Sequence, residues 1–417
     1  MTYQKSISSA LVAEYKDVWL VAGARTPFAD YGSVLRDVSP TDLGIFAARA
    51  LFERSGIPAT EAQSVVAGNM AQSSFDAYYL SRHIGLYSGM RQAVPAILVN
   101  RLCGTGFDTI LAAADQIALG RANAVLCVGT ESMSRNPVAA YTHRAGFRMG
   151  QVDFRDFLWE ATIDTAPGIS MGQTAEALAK KYGISRDEVD LFAETSFARG
   201  VDSWNKGYYA EEVVPVVNSE WLLDGYNSRS LKLADRAKSF ARDEHVRPTS
   251  IDTLRNLRPA FKGVQTGGNS SAIVDGAAAV FVASGDFVRT NGLHPLARIR
   301  AGAAVAVPPE IMGIGPAPAI QAVIDKAGLG LSDVGRFEIN EAFAAQYLAV
   351  ERELGLDRNV VNRHGGAIAI GHPLGASGVR LTHTVARQLN LDNQQYGISA
   401  ACAGGGQGVA ILLERGK

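Results

Sequence analysis

Residues 99–106 read Val99-Asn100-Arg101-Leu102-Cys103-Gly104-Thr105-Gly106, and the same opening returns late in the chain as Val361-Asn362-Arg363. After the first copy come a helix pattern over Thr109 to Leu119 and an apolar strand from Ala124 to Val128. After the second come a glycine-rich loop with His372, a helix pattern and a strand from Tyr396 to Ala401. A second echo lies upstream of each copy. Ser39-Pro40-Thr41-Asp42 supplies an N-cap, a proline at the first helical position and an acid in the first turn. Apolar residues Leu43, Phe46, Ala47, Ala50 and Leu51 follow at helical spacing, Gly56 supplies the stop, and Ser64 to Asn69 reads as a strand. Gly315 to Asn340 repeats this grammar, with a stop at Gly328 and a strand at Arg336 to Asn340. Order and spacing both recur, so one half-domain is written twice. Strands alternating with helices imply right-handed crossovers and largely parallel sheets covered by helices.

Composition narrows the function classes. The 417 residues are 47% hydrophobic and 19% charged, enough apolar material for buried cores. A net charge of -1 leaves no global field for nucleic acid or anionic membrane, and no run approaches the ~18 apolar residues of a membrane span. Three cysteines, Cys103, Cys127 and Cys402, are too few for a disulfide framework. A cytoplasmic setting is therefore expected. Residues 1–16 carry no arginine and read as a loose leader, with weak support for an organelle transit peptide.

Cys103 falls between a strand and a helix pattern, where free N–H groups and the helix dipole favour thiolate. Free cysteines usually pack as small hydrophobes. Here Gly104, Gly106 and polar neighbours argue for a nucleophile to which substrate can come close. Cys127, inside Ala-Val-Leu-Cys-Val, reads as inert core. Cys402 precedes Gly404-Gly405-Gly406 and a further strand pattern, Val409 to Leu413. The glycines thus form a tight hairpin that offers N–H groups beside a sulfur, not a phosphate loop. His372 is held in Gly-His-Pro; His364 lies eight residues away with no third soft ligand, so no metal site is expected. Cys103 and His372 occupy corresponding loops of the two halves, and pseudosymmetry brings them to one seam as a cysteine–histidine pair. Asn340, in Asn-Glu-Ala-Phe, either donates to a developing oxyanion or caps a helix through Tyr347. The basic stretch Tyr226 to Arg247 is either a solvated face or a cover offering cations to a phosphorylated ligand.

Taken together, these motifs resemble the thiolases over nearly the whole length, from Arg25-Thr26-Pro27-Phe28 to Glu414. The resemblance is carried by Val99 to Gly106, Gly129-Thr130-Glu131-Ser132-Met133-Ser134, Asn340-Glu341-Ala342-Phe343, Gly371-His372-Pro373 and Cys402-Ala403-Gly404-Gly405-Gly406. It implies an α/β fold of two duplicated halves, each a five-stranded mixed sheet with helices in layers, plus an inserted loop domain. The expected division is 1–16 leader, 17–124 first part of the N-terminal half, and 125–250 loop region with the end of that half. Residues 251–290 would complete the half, and 291–417 would form the second.

The resemblance further implies that Cys103 is acylated, His372 is its base and Cys402 is the acid/base at the substrate's C2. Asn340, through a water, and His372 would line one oxyanion hole; the N–H groups of Cys103 and Gly404 would form the other. Ser271 matches the family serine that contacts the pantetheine arm of CoA, and Met171 the methionine bordering the acyl pocket. The implied reaction is CoA-dependent cleavage of 3-ketoacyl-CoA, or the reverse Claisen condensation, with no cofactor beyond CoA as co-substrate. A homodimer or homotetramer is expected. Departures are Thr105 for serine, His364 for asparagine, Ala403 for a larger aliphatic and Ala272 for glycine. The rivals are a decarboxylating β-ketoacyl condensing enzyme and a non-catalytic acyl-CoA or lipid carrier.

Overall fold

Ser39 caps the helix it was expected to start: its side chain accepts from the Asp42 N–H, and Gly56 ends the helix at φ 68° with its N–H on Phe52 O. The same punctuation closes the matching helix of the second half, where Gly328 has φ 67°. The structure, a computed structural model, describes residues 10–71, 75–141 and 143–416.

Strands β1 (Val18–Arg25), β2 (Ser64–Gly68), β3 (Ala96–Val99), β4 (Ala124–Glu131) and β5 (Val274–Ser284) form the first half-sheet, in spatial order β3-β2-β4-β5-β1. Strands β6 (Ala297–Ala306), β7 (Val334–Ile339), β8 (Tyr396–Ala403) and β9 (Gln407–Arg415) form the second, in order β7-β8-β9-β6. A parallel bridge from Phe337 to Val361 stands where β3 stands in the first half. Two antiparallel rungs, Ala297 to Leu20 and Arg298 to Trp19, join β6 to β1 and fuse the halves into one sheet. The duplicated α/β architecture is the expected one.

Two expectations need correction. Among these strands β2 pairs parallel with β3 and β4, and β7 with β8, while the other ladders run antiparallel. The reason is local in the second half, where Gly404 to Gly406 turn β8 straight back into β9, with Gly405 and Gly406 at φ 74° and 77°. The leader also differs, because Leu11–Glu14 pairs with Ala301 to Ala304 of β6; residues 1–9 lie outside the described residues.

Helices α1 (Pro40–Ser55), α2 (Thr105–Ala118), α3 (Met171–Tyr182), α4 (Arg186–Asn205), α5 (Pro316–Ala327), α6 (Ala344–Leu354) and α7 (Leu374–Leu391) cover the sheet. α7 is buried from Leu374 to Leu389 and packs on strands of both halves and on α2. A Cβ at Gly106 would lie 2.7 Å from the Gly378 nitrogen, and one at Gly378 would lie 2.3 Å from the Phe107 nitrogen. Only glycines allow this backbone-to-backbone crossing. Because it falls near both helix N-termini, it draws the loops holding Cys103 and His372 together.

Between β4 and β5 the chain leaves the sheet, carrying α3, α4 and short two-stranded pairs such as Ser219–Trp221 with Arg229–Leu231. Buried Arg25 fastens this excursion to β1. Its Nε donates to Glu212 at 2.6 Å, and its Nη1 and Nη2 donate to Asp243 at 2.7 and 2.9 Å. Arg387 of α7 reaches the same Glu212 at 3.2 Å.

Candidate active site

Cys103 sits in a short turn, Leu102–Gly104, that runs directly into α2. Leu102 holds φ 50°, a left-handed conformation unusual for leucine, with its N–H on Asn100 Oδ1 at 2.9 Å. Arg101 reaches across the halves to Gln407 Oε1 at 2.8 Å, and Gln407 Nε2 donates to Gly404 O at 3.3 Å. This bridge brings the glycine hairpin to the cysteine. The backbone N–H groups of Gly404 and of Cys103 itself act to pull the Cys103 thiol down.

The thiol nevertheless does not rest as thiolate. Burial, with a contribution from the Glu131 carboxyl, pushes Cys103 up to about 11 despite those two N–H groups. Desolvation outweighs the helix-terminus effect anticipated from the sequence, so this sulfur needs a base. Cys402, on the penultimate residue of β8, is fully buried; burial raises its thiol further and Cys103 adds to the rise.

His372 precedes α7 and is 4% exposed. Its N–H donates to Ala272 O at 3.0 Å, tying it to the segment that carries Ser271. Burial holds the imidazole neutral, down to about 3. Nδ1 lies 2.5 Å from Ser377 Oγ and Nε2 lies 3.2 Å from Asn340 Nδ2. Asn340 is therefore not a helix cap; α6 starts at Ala344, after Phe343.

A cavity of about 600 Å³ opens onto Cys103 and His372, and Ser271 and Met171 line it too. Asn340, Gly404 and Cys402 stand just behind its wall. Asn340 Nδ2 meets His372 Nε2, and Gly404 lies against Leu102 and Met171. Cys402 packs on Met312, Ala342, Met171 and Phe343, all of which face the cavity. The Ser271 N–H bonds Ala342 O at 2.9 Å, which fixes this side of the cavity to the exit of β7.

Sequence reasoning passed over several wall residues. Trp159 and Phe261 come from the inserted region without any periodic pattern to mark them, as do His245 and Arg247. Arg247 was visible only as one base among several; its Nη1 lies 3.0 Å from His245 Nδ1, which in turn meets Asp30 at 2.9 Å. Glu131 was quoted in a motif but assigned nothing. It is buried and accepts from the N–H groups of Met70, Ala71 and Gly375 and from Asn69 Nδ2, clamping the first turn of α7 to the other half. Burial outweighs these bonds and raises its carboxyl to about 7.

Fold and site together define a duplicated α/β protein whose seam gathers two thiols, an imidazole and an amide around one cavity. The thiolase N-terminal domain model matches residues 18–286 and the thiolase C-terminal domain model residues 293–415. The chain belongs to the thiolase family. It is 42% identical over 407 residues to the mitochondrial 3-ketoacyl-CoA thiolase of Homo sapiens, covering 97% of this chain and 99% of that one. It is 39% identical over 406 residues to the 3-ketoacyl-CoA thiolase of Bacillus subtilis, covering 96% and 99%. A crystal structure of the human mitochondrial enzyme in complex with CoA superposes with a TM-score of 0.90 at 42% identity, covering 96% and 98%.

Proposed function

We propose that the protein catalyses CoA-dependent cleavage of 3-ketoacyl-CoA to acetyl-CoA and a shortened acyl-CoA, and the reverse condensation, through an acyl group carried on Cys103. One observation supports this reading above the others. A half-buried thiol, beside the glycine hairpin of the other half, shares a cavity with a neutral imidazole, and a second thiol lies behind the wall.

Breaking C2–C3 expels a thioester enolate, which is costly in water. His372 takes the Cys103 proton, and the sulfur attacks C3. As C2–C3 breaks, the enolate oxygen is stabilised from the His372 and Asn340 side, and Cys402 delivers its proton to C2. His372 passes the proton it took to the Cys402 sulfur and then takes the proton of a second CoA, whose sulfur attacks the acyl group. The Cys103 sulfur leaves and recovers a proton from His372, while the N–H groups of Cys103 and Gly404 hold the acyl carbonyl oxygen. Ser271 contacts the pantetheine arm, Met171 borders the acyl group, and Arg247 supplies a cation to the CoA phosphates. A decarboxylating condensing enzyme has no use for a thiol at Cys402, and a mere carrier has none for a base at His372.

Cys103→Ala is expected to abolish the acyl-enzyme seen by intact mass and to stop thiolysis. Cys402→Ala is expected to acylate from acetyl-CoA yet lose proton exchange at C2; full exchange would overturn its role. Three free thiols support a reducing compartment, and we propose the cytoplasm; cell fractionation tests it against the mitochondrial matrix. Among the described residues, no helix is long and apolar enough to cross a membrane. A homodimer is proposed through β3, whose ladder pairs only with β2 among the described residues and whose Ile97 is 50% exposed.

A further inference from the structure

His372 turns its two ring nitrogens toward two different elements. Nδ1 meets Ser377 Oγ, one turn into α7, at 2.5 Å, while Nε2 meets Asn340 Nδ2, just past the end of β7, at 3.2 Å. Ser377 Oγ also lies 3.1 Å from Pro373 O. A carbonyl only accepts, so it takes the hydroxyl hydrogen and leaves the Ser377 oxygen to accept from Nδ1–H. An amide nitrogen only donates, so Nε2 meets Asn340 with its lone pair. Two partners from separate parts of the chain thus call for the same proton position.

We propose that Ser377 is a positioning residue that holds His372, together with Asn340, as the Nδ1–H tautomer, leaving Nε2 as the basic nitrogen. The inference rests on the reading of His372 as the base. It adds what that reading lacks, namely which nitrogen carries the resting proton and what holds it there. The proton leaving the Cys103 sulfur goes to Nε2, forming imidazolium; Nδ1–H keeps its proton, and its bond to Ser377 Oγ becomes charge-assisted and stronger. Returning the Nε2 proton restores the starting tautomer. Without Ser377, Nδ1–H loses its acceptor inside a buried site, and the Nε2–H form, which presents no lone pair at the working nitrogen, gains population.

Serines in helices also bond the carbonyl four residues back without any catalytic consequence, and that alone would explain the contact with Pro373. Imidazole ¹⁵N spectra of the wild-type enzyme, labelled at its seven histidines and assigned by difference with His372→Gln, separate the two roles. Protonated Nδ1 and unprotonated Nε2 are expected at neutral pH. An Nε2–H tautomer overturns the proposal, and this readout does not depend on any Ser377 variant folding. Ser377→Ala is expected to lower kcat by on the order of tenfold to a hundredfold with KM for CoA unchanged, as for other groups that orient a reacting imidazole. Ser377→Thr, which keeps the hydroxyl, is expected to recover most of that loss. Wild-type kcat in Ser377→Ala with an inactive His372→Gln refutes the role of Ser377 alone; an active His372→Gln refutes the base.

Discussion

Replacing Arg25 by methionine removes a guanidinium that is 1% exposed and bonds two carboxylates of the inserted region. The two acids are not left in the same state. Glu212 keeps Arg387 Nη1 at 3.2 Å and Thr384 Oγ1 at 2.9 Å, whereas Asp243 keeps, among the described residues, the Phe28 N–H at 2.8 Å. Burial pushes the Glu212 carboxyl up, but Arg25, Arg387 and His383 together hold it well below the usual carboxylate range. Removing one partner of a buried pair costs about 3–5 kcal/mol, mostly for the charge left behind, and here that charge is Asp243. The urea midpoint at fixed protein concentration is expected to fall accordingly. Asp243→Asn in the same background should recover part of the loss, giving a coupling of about 2 kcal/mol in the double-mutant cycle. A kinetic consequence follows from position. Asp243 lies two residues before His245 and four before Arg247, both on the cavity wall, so Arg25→Met should also raise KM for CoA. A loss under about 1 kcal/mol, or strict additivity with Asp243→Asn, would show that Arg25 is not what anchors this segment.

Gly106→Ala puts a methyl 2.7 Å from the backbone nitrogens of Gly378 and Val379, where no flexible side chain can yield. A stability loss of about 1–3 kcal/mol is expected from the forced separation of α2 and α7. A larger relative fall in kcat should accompany it, because a shift near 1 Å between reacting groups is worth about a hundredfold. Ile97→Lys on the exposed edge of β3 should weaken the dimer in sedimentation; an unchanged mass would move the interface elsewhere. Stability should fall steadily as the pH drops below about 6. Burial lowers His364, His372 and His383 from 6.5 to about 4, 3 and 4, and raises Glu131 and Glu338 from 4.5 to about 7. At about pH 5.5 the unfolded chain holds close to three protons on these histidines, while the folded chain holds close to two, on the glutamates. Stability therefore falls by about 1.4 kcal/mol per pH unit for one net proton. Below pH 4.5 the unfolded glutamates also protonate, but the folded histidines begin to titrate in the same range, so the slope is expected to rise only to about one and a half times that value. Urea midpoints across pH 4–7 that fall most steeply above pH 5 would contradict these assignments.

What could be read from the chain and what could not divide along a physical line. Caps, stops and glycine turns act within a few residues, so Ser39, Gly56, Gly328 and the Gly404 to Gly406 hairpin were legible, and with them the duplication. Duplication alone was enough to set Cys103 and His372 in corresponding loops. The protonation of Cys103 was not legible, because it depends on burial and on Glu131, and no local pattern reports how much protein will cover a helix terminus. The same holds for Arg25, whose partners lie 187 and 218 residues away. The cavity wall of the inserted region escaped for another reason: Trp159, Phe261 and Arg247 belong to loops, and loop residues carry no period that separates a ligand contact from a solvated one. Ser377 lies between these cases. Its neighbours Gly375 and Gly378 are explained by close approaches that leave no room for a Cβ, and a small residue between them draws no notice. A glycine or alanine would satisfy the crossing; only a hydroxyl also satisfies Nδ1. Helix α7 thus meets the first half at its glycines, and the hydroxyl set between them bears on which nitrogen of His372 carries the proton.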